Sequence, residues 1–254
     1  MRLNDLLIIH GNFLFRWRNY TPFILVPIFF LAAPESARLE KVLGDADSHI
    51  WTFCCMGVSL VGLLIRSAGI GFAARGTSGR NRHSQIADSL NTTGVYSIVR
   101  HPLYLGNYLG LLGLLASTLV WWVVVIGTLV NWIIIERIIE AEESYLAEKF
   151  GADFTIWAAA TPAFVPIFPK WVSSGSKFNW REVLKREYNG VMALGASYFL
   201  IEAILDLYGE GQTPAIWFRE DFPWFIIFMF SLIIMVSLRT IKKTTRLLSE
   251  SRPT

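Results

Sequence analysis

The chain has 254 residues, 53% of them hydrophobic and 17% charged, with a mean hydropathy of +0.44 and a formal net charge of +3. A soluble domain averages about 25% charged residues, and a globule of this length has too much surface to cover with so few. The composition excludes an ordinary cytosolic enzyme, a nucleic-acid binder with a broad basic face and a disordered chain, and leaves a polytopic membrane protein.

A spanning helix needs about 20 mostly apolar residues. The first candidate, roughly Tyr20 to Ala33, is short and carries Pro22 and Pro27. Its Leu31-Ala32-Ala33 resembles a leader cleavage site, but Arg2, Arg16 and Arg18 precede it at a distance and Pro27 splits it, so a retained crossing is expected. The second candidate runs from Ile50 to about Ala74. Within it Cys54 and Cys55 stand side by side without the neighbours of a metal site, so two small buried apolar residues, no bridge and no metal are expected. The third and fourth, about Leu103 to Ala116 and Thr118 to Ile135, read as a tight helical hairpin. The fifth spans about Gly190 to Leu207 and the sixth Phe222 to about Leu238.

Loop charges orient these crossings. The loop from Pro34 to His49 sets Glu35, Glu40, Asp45 and Asp47 against Arg38 and Lys41, and the loop from Tyr208 to Asp221 sets Glu210, Glu220 and Asp221 against Arg219; each is net acidic. Arg75, Arg80, Arg82 and Arg100 against Asp88, and Arg239, Lys242, Lys243, Arg246 and Arg252 against Glu250, make two basic stretches. Lys and Arg favour cytoplasmic loops, so both termini and both basic stretches are expected in the cytoplasm, which six crossings satisfy. The absence of an organelle-targeting pattern favours a bacterial inner membrane. The expected organisation is residues 1–74 as transmembrane helices 1 and 2, 75–170 as the functional core, and 171–254 as an interfacial helix, transmembrane helices 5 and 6 and a basic tail.

The block from Glu136 to Tyr188 is more polar than the rest. It holds amphipathic stretches at Glu140 to Phe150 and about Asn179 to Tyr188, separated by Pro162, Pro166 and Pro169, which break any helix. The aromatics Phe164, Phe168, Trp171, Phe178 and Trp180 suit a segment lying at the lipid interface, for anchoring or as part of a site.

Two stretches carry chemistry. Gly94-Val-Tyr-Ser-Ile-Val-Arg-His-Pro-Leu-Tyr-Leu-Gly-Asn107 places Arg100, His101 and Tyr104 around the helix-starting Pro102. Free N–H groups there, with Arg100, can seat an anion, although snorkelling toward headgroups explains the same residues. Gly106 and Gly110 permit a close approach. The second stretch, Glu136 to Gly151, sets Glu136, Glu140 and Glu143 on one helical face, where like charges repel by a few tenths of a kcal/mol per pair unless a cation faces them. A solvated face is the simpler reading for Glu140 and Glu148, and fits Glu136 less well because it abuts the hydrocarbon.

Together the stretches resemble the integral-membrane methyltransferases that include isoprenylcysteine carboxyl methyltransferase and phosphatidylethanolamine N-methyltransferase. The pattern G-x-Y-x-x-x-R-H-P-x-Y-x-G is met by Gly94, Tyr96, Arg100, His101, Pro102, Tyr104 and Gly106. Downstream, E-E-x-x-L-x-x-x-F-G-x-x-aromatic-x-x-aromatic is met by Glu142, Glu143, Leu146, Phe150, Gly151, Phe154 and Trp157. The likeness covers about Arg75 to Pro166. It implies an all-α membrane bundle of about six transmembrane helices with S-adenosyl-L-methionine bound at the cytoplasmic side. It implies cofactor contacts from His101, Pro102, Tyr104, Gly106, Glu142 and Glu143, and catalytic roles for Arg100, Arg137 and Glu142. Two departures stand out. The family's arginines before the Glu pair fall on Ile138 and Glu140, with Arg137 offset by one, and its second aromatic, usually Tyr, is Trp157.

The acceptor follows from charge. An anionic oxygen needs cations rather than a strong base, whereas an amine needs a base or carboxylates. Arg66 lies roughly 13 Å of helix inside the second segment, where Arg usually faces a polar interior. It gathers an anionic headgroup with Arg75, Arg80 and Arg82, or else pairs internally with Glu202 or a Glu of the acidic stripe. The linker from Arg75 to Gly94 is rich in hydroxyl, amide and guanidinium donors, which suits phosphate or sugar, and resembles the bacterial lipid A 1-phosphate methyltransferase branch. The expected partners are the bilayer and a membrane lipid or lipidated acceptor, with no nucleic acid. A prenylcysteine carboxylate and an aminophospholipid remain alternatives, as do two other classes: an NADPH-dependent sterol reductase-like protein and a non-catalytic membrane scaffold.

Overall fold

A computed structural model describes residues 3–74, 87–175, 177–245 and 248. Its elements are α1 (Leu3–Trp17), α2 (Val26–Leu43), α3 (Asp45–Phe72), α4 (Pro102–Ala116), α5 (Trp121–Phe150), α6 (Ala152–Ala160), α7 (Trp180–Ile204), α8 (Pro214–Glu220) and α9 (Phe222–Thr244). A 3-10 turn at Thr21–Leu25 leads into α2, and a π turn at Leu205–Glu210 prolongs α7. Extended pairing among the described residues is a single bridge between Gly94 and Val172. Among the described residues, five helical stretches are long and apolar enough to cross a membrane: Thr21–Leu43, Ala46–Phe72, Trp121–Phe150, Trp180–Glu210 and Phe222–Thr244. The helix α4 is apolar but shorter. The protein is a polytopic helical membrane bundle.

Three element boundaries differ from those expected. The segment 34–49 is not a loop: α2 runs through Pro34 to Leu43, and α3 begins again at Asp45. Gly44, at φ +92°, makes the break, in a region that side chains rarely enter. The fourth segment does not stop at Ile135 but continues through the acidic stripe to Phe150, because Glu, Ala, Leu and Lys sustain a helix whether or not lipid surrounds it. The interfacial stretch near Asn179 and the fifth crossing are one helix, α7, whose start is fixed by Asn179 Oδ1 accepting from the Glu182 N–H at 3.1 Å. The hairpin between α4 and α5 turns at 117–120, where Thr118 Oγ1 donates to the Leu115 carbonyl at 2.8 Å and Leu119 takes φ +62°.

Helix contacts follow the small residues. On the α3–α4 seam, a Cβ on Gly62 would strike the Gly106 carbonyl, and one on Gly113 would strike the Cys55 carbonyl and Ser59. The two backbones therefore touch, as small residues allow in lipid, where apolar burial gives no drive toward association. Ser59 Oγ donates to the Gly110 carbonyl at 2.8 Å and pairs with the Tyr198 hydroxyl at 3.0 Å, joining α3 to α4 and α7. Phe199 of α7 stacks on Phe228 of α9 with centroids 4.9 Å apart. The innermost core comprises Leu25, Phe29, Ala32, Ala33, Leu115, Val120, Val123, Ile201 and Leu205. The helix α1 lies across α5, its Gly11 against the Arg137 carbonyl.

Replacing Gly62 with Val inserts a side chain into the α3–α4 backbone contact. It is expected to cost about 1–3 kcal/mol, read as a lower melting temperature in detergent, while Gly57→Val, where a Cβ meets open space, leaves melting nearly unchanged.

Candidate active site

The proline-broken segment after α6 folds back along the start of α4. The N–H of Arg100 donates to the Pro162 carbonyl at 2.9 Å, that of His101 to Ala163 at 3.2 Å, and that of Ile167 to Ile98 at 3.0 Å. Further along, the Gly94 N–H donates to the Val172 carbonyl at 2.8 Å, and Val172 in turn donates to Ser97 Oγ at 2.9 Å. Proline removes donors from the segment, so its carbonyls are satisfied by the first motif instead of by a helix of its own.

Arg100 sits at the centre of this junction. Its Nε and Nη2 reach the two oxygens of Glu143 at 2.8 and 3.1 Å, a bidentate pair, and Nη1 donates to the carbonyls of Ala158 and Thr161. His101 Nε2 lies 2.8 Å from the same Glu143 oxygen. One guanidinium thus ties α5, α6 and the return segment to the mouth of α4. The Arg100 and Glu143 side chains are 14% and 20% exposed, so the pair is only lightly screened. Four of the five N–H directions of Arg100 are thus taken.

Glu142 is left open. Its Oε2 is buried and has no hydrogen-bond partner among the described residues, while its carboxylate acts on the Tyr104 hydroxyl nearby. Arg18, at the end of α1, acts electrostatically on the same phenol. His101 and Tyr104 stand with ring centroids 5.8 Å apart. Tyr96 of the same motif is buried, which pushes its phenol well above the ordinary range, so it stays neutral. A buried, unpaired carboxylate oxygen invites a cation, because leaving it unmet costs more than the bond it would make.

The expected site residues thus fall into groups. Arg100, His101, Tyr104, Glu142 and Glu143 come together. Pro102 and Gly106 face α3 instead: Pro102 packs near Gly69, and a Cβ on Gly106 would meet the Gly62 carbonyl and the Arg66 stem. Arg137 is not brought to the cluster; five residues before Glu142, it sits about 140° round the helix, and its Nη1 donates to the Ile133 carbonyl at 3.1 Å. Arg66 does pair internally, but with Glu187 of α7 rather than Glu202 or the stripe: Nη2 to Oε1 is 2.8 Å, Nε to Oε2 is 3.3 Å, and Nη1 also donates to Asn107 Oδ1. Arg75, Arg80 and Arg82 lie outside the described residues.

Several neighbours escaped the sequence reading. Asn107 and Glu187 hold Arg66, and only the former, next to Gly106, stood within a motif. Tyr108, Trp132 and Phe164 meet edge to face with centroids 5.0–6.2 Å apart, making an aromatic wall between α4, α5 and the return segment. An open cleft of about 600 Å³ is lined by Asp88, Ser89, Thr92, Phe150, Asp153 and Trp157, among others. Trp157 is steadied by its Nε1–H donating to the Tyr96 carbonyl at 3.2 Å.

Because Glu143 neutralises a mostly buried guanidinium, Glu143→Gln is expected to destabilise the fold by about 3 kcal/mol. In a double-mutant cycle, Arg100→Gln combined with Glu143→Gln should cost clearly less than the sum of the singles. Chemical denaturation in detergent micelles measures both.

Comparison with known proteins places the same region. The family model described as phospholipid methyltransferase (PEMT) matches residues 51–153. The cobalt-zinc-cadmium resistance protein CzcN of Cupriavidus metallidurans is 34% identical over 160 residues, 61% of this chain and 66% of that protein. The protein-S-isoprenylcysteine O-methyltransferase of Schizosaccharomyces pombe is 31% identical over 123 residues, 46% of this chain and 48% of that enzyme. The nickel-cobalt-cadmium resistance protein NccN of Alcaligenes xylosoxydans xylosoxydans is 34% identical over 109 residues, 43% of this chain and 48% of that protein. The chain therefore spans about half to two thirds of the length of these relatives, and no solved structure matches it. Residues 51–153, the part of the chain similar to the phospholipid methyltransferases, contain the first motif and both Arg100 and Glu143, and the fission-yeast relative adds a likeness to an isoprenylcysteine O-methyltransferase.

Proposed function

We propose that this chain transfers a methyl group from S-adenosyl-L-methionine to an anionic oxygen on a membrane lipid, a lipid phosphate in the first place. The carrying observation is the buried, unpartnered Oε2 of Glu142 beside Tyr104. This donor set fits the cofactor: a carboxylate for its ammonium or sulfonium, and hydroxyls, carboxylates and aromatic faces in the cleft beside Trp157 for its nucleoside. When bound, the sulfonium supplies an activated methyl group for in-line displacement.

The chain's own residues then have separable tasks. Glu143, Arg100 and His101 fix the mouth of α4 against the return segment and keep water from the junction. Glu142 holds positive charge, and Tyr104 orients that carboxylate through its hydroxyl. The Tyr108–Trp132–Phe164 wall offers apolar surface for an acyl or prenyl chain. No residue need act as a strong base, since a phosphate or carboxylate acceptor is already ionised at neutral pH. Arg75, Arg80 and Arg82, with the hydroxyl-rich stretch to Gly94, supply cations for such a headgroup in this reading, and Arg66 contributes by its link to Asn107.

A carboxylate acceptor of the isoprenylcysteine type is the second reading, favoured by the fission-yeast relative, whose name specifies O-methylation. Both readings place the site at the cytoplasmic face, with the basic stretches and both ends of the chain on that side and a bacterial inner membrane as the setting. The packing of α1 across α5 and of Lys242 over the Tyr188 ring, 5.8 Å from its centroid, supports this by putting both ends of the described chain near the polar block.

Calorimetry in detergent should show binding of S-adenosylhomocysteine and none of NADPH. Glu142→Gln should weaken that binding at least tenfold with little change in melting temperature; unchanged affinity would remove Glu142 from the site. A radiolabelled methyl assay on total lipid extract, followed by identification of the labelled species, separates phosphate, carboxylate and amine acceptors.

A further inference from the structure

At the other end of α7, fifteen residues or about 22 Å of helix from Glu187, three acidic side chains converge. Glu202 of α7, Asp206 of the π turn and Asp221 at the start of α9 each present a carboxylate oxygen, and all three oxygens lie within 4.8 Å of one another. Their residues are 5%, 6% and 5% exposed. Independently of this clustering, Glu202 Oε1 and Asp206 Oδ2 are buried with no hydrogen-bond partner. So is Oε1 of the neighbouring Gln212, whose N–H donates to the Asp206 carbonyl at 3.1 Å.

The surroundings do not offset this charge. Glu40 of α2 and Glu210 add negative potential, Glu220 does so at Asp221, and His49 of α3 acts favourably on Asp221. Thr52 lies beside Glu202, and Asp206 and Asp221 face each other. Buried like charges this close are costly, and more so in a bundle surrounded by lipid.

We propose that Glu202, Asp206 and Asp221 form a binding site for a divalent cation. All three donors are carboxylate oxygens, which suit hard ions such as Mg²⁺, Mn²⁺ and Ca²⁺ over soft ones. Two oxygens on one such ion stand at most about 4–5 Å apart, which the observed spacing satisfies. The ion ties α7 to α9 across the α8 excursion and answers the two unpartnered oxygens together. The site is separate from the Glu142 cluster, and its test is independent of methyl transfer.

The full-length protein in detergent, stripped with a chelator, is titrated with Mn²⁺ alone and the free ion is followed by electron paramagnetic resonance. The expected result is one bound equivalent with a dissociation constant below roughly 1 mM and a higher melting temperature. Glu202→Gln and Asp206→Asn should each weaken binding at least tenfold. Melting in chelator separates this from misfolding: without the ion, each variant should melt no lower than the wild type, because one repelling charge is gone. Absence of Mn²⁺ binding by the wild type, or binding and melting in the variants that match it, would overturn the proposal and leave a proton-sharing carboxyl cluster.

Discussion

A single guanidinium, Arg100, holds the functional half of this protein together. It meets both oxygens of Glu143 and two main-chain carbonyls, so four hydrogen bonds converge on one planar group from α5, α6 and the return segment. Lys could not replace it, because a point charge cannot present a fork to a carboxylate and a second edge to carbonyls. The carbonyls matter as much as the carboxylate. A segment interrupted by prolines has acceptors to satisfy but few donors of its own, and the Arg100 side chain together with the main-chain N–H groups of residues 100 and 101 supplies them.

The same economy of polar groups runs through the bundle. In lipid, helices gain nothing by hiding apolar surface from one another, so specificity comes from close backbone contact and from polar pairs turned inward. Helix α3 shows both: glycine against α4, and Ser59, Arg66 and Thr52 reaching α7 through Tyr198, Glu187 and Glu202. Arg66 is the instructive case. Its depth in an apolar segment makes a partner obligatory, and a bidentate contact with Glu187 meets that need. The adjacent acidic pair on α5 divides its labour by the same logic: Glu143 is saturated by Arg100 and His101, while Glu142 keeps an oxygen open.

Much of this was legible in advance, and the failures have identifiable causes. Hydropathy located all six apolar segments but misjudged their ends at Leu43, Phe150 and Trp180, because it reports where lipid can lie and not where i→i−4 bonding stops. The amino-terminal helix α1 went unnoticed, since a short amphipathic stretch becomes a clear helix only when it has a partner, here α5. The family resemblance put Arg100, His101, Tyr104, Glu142 and Glu143 in one neighbourhood. It did not separate Gly106 and Pro102, which serve the packing against α3, from the groups around the open carboxylate.

By itself the sequence determined that the chain enters a membrane and where its apolar segments run, because composition and periodicity are local properties written into neighbouring residues. The tertiary structure alone decided which carboxylate is clamped and which is open, that Arg66 belongs to Glu187, and that Asp221 returns to meet Glu202 and Asp206. Those outcomes rest on residues 43, 121 or 15 positions apart. No repeat along one helix encodes such encounters; they arise from the path of the whole chain through the bilayer.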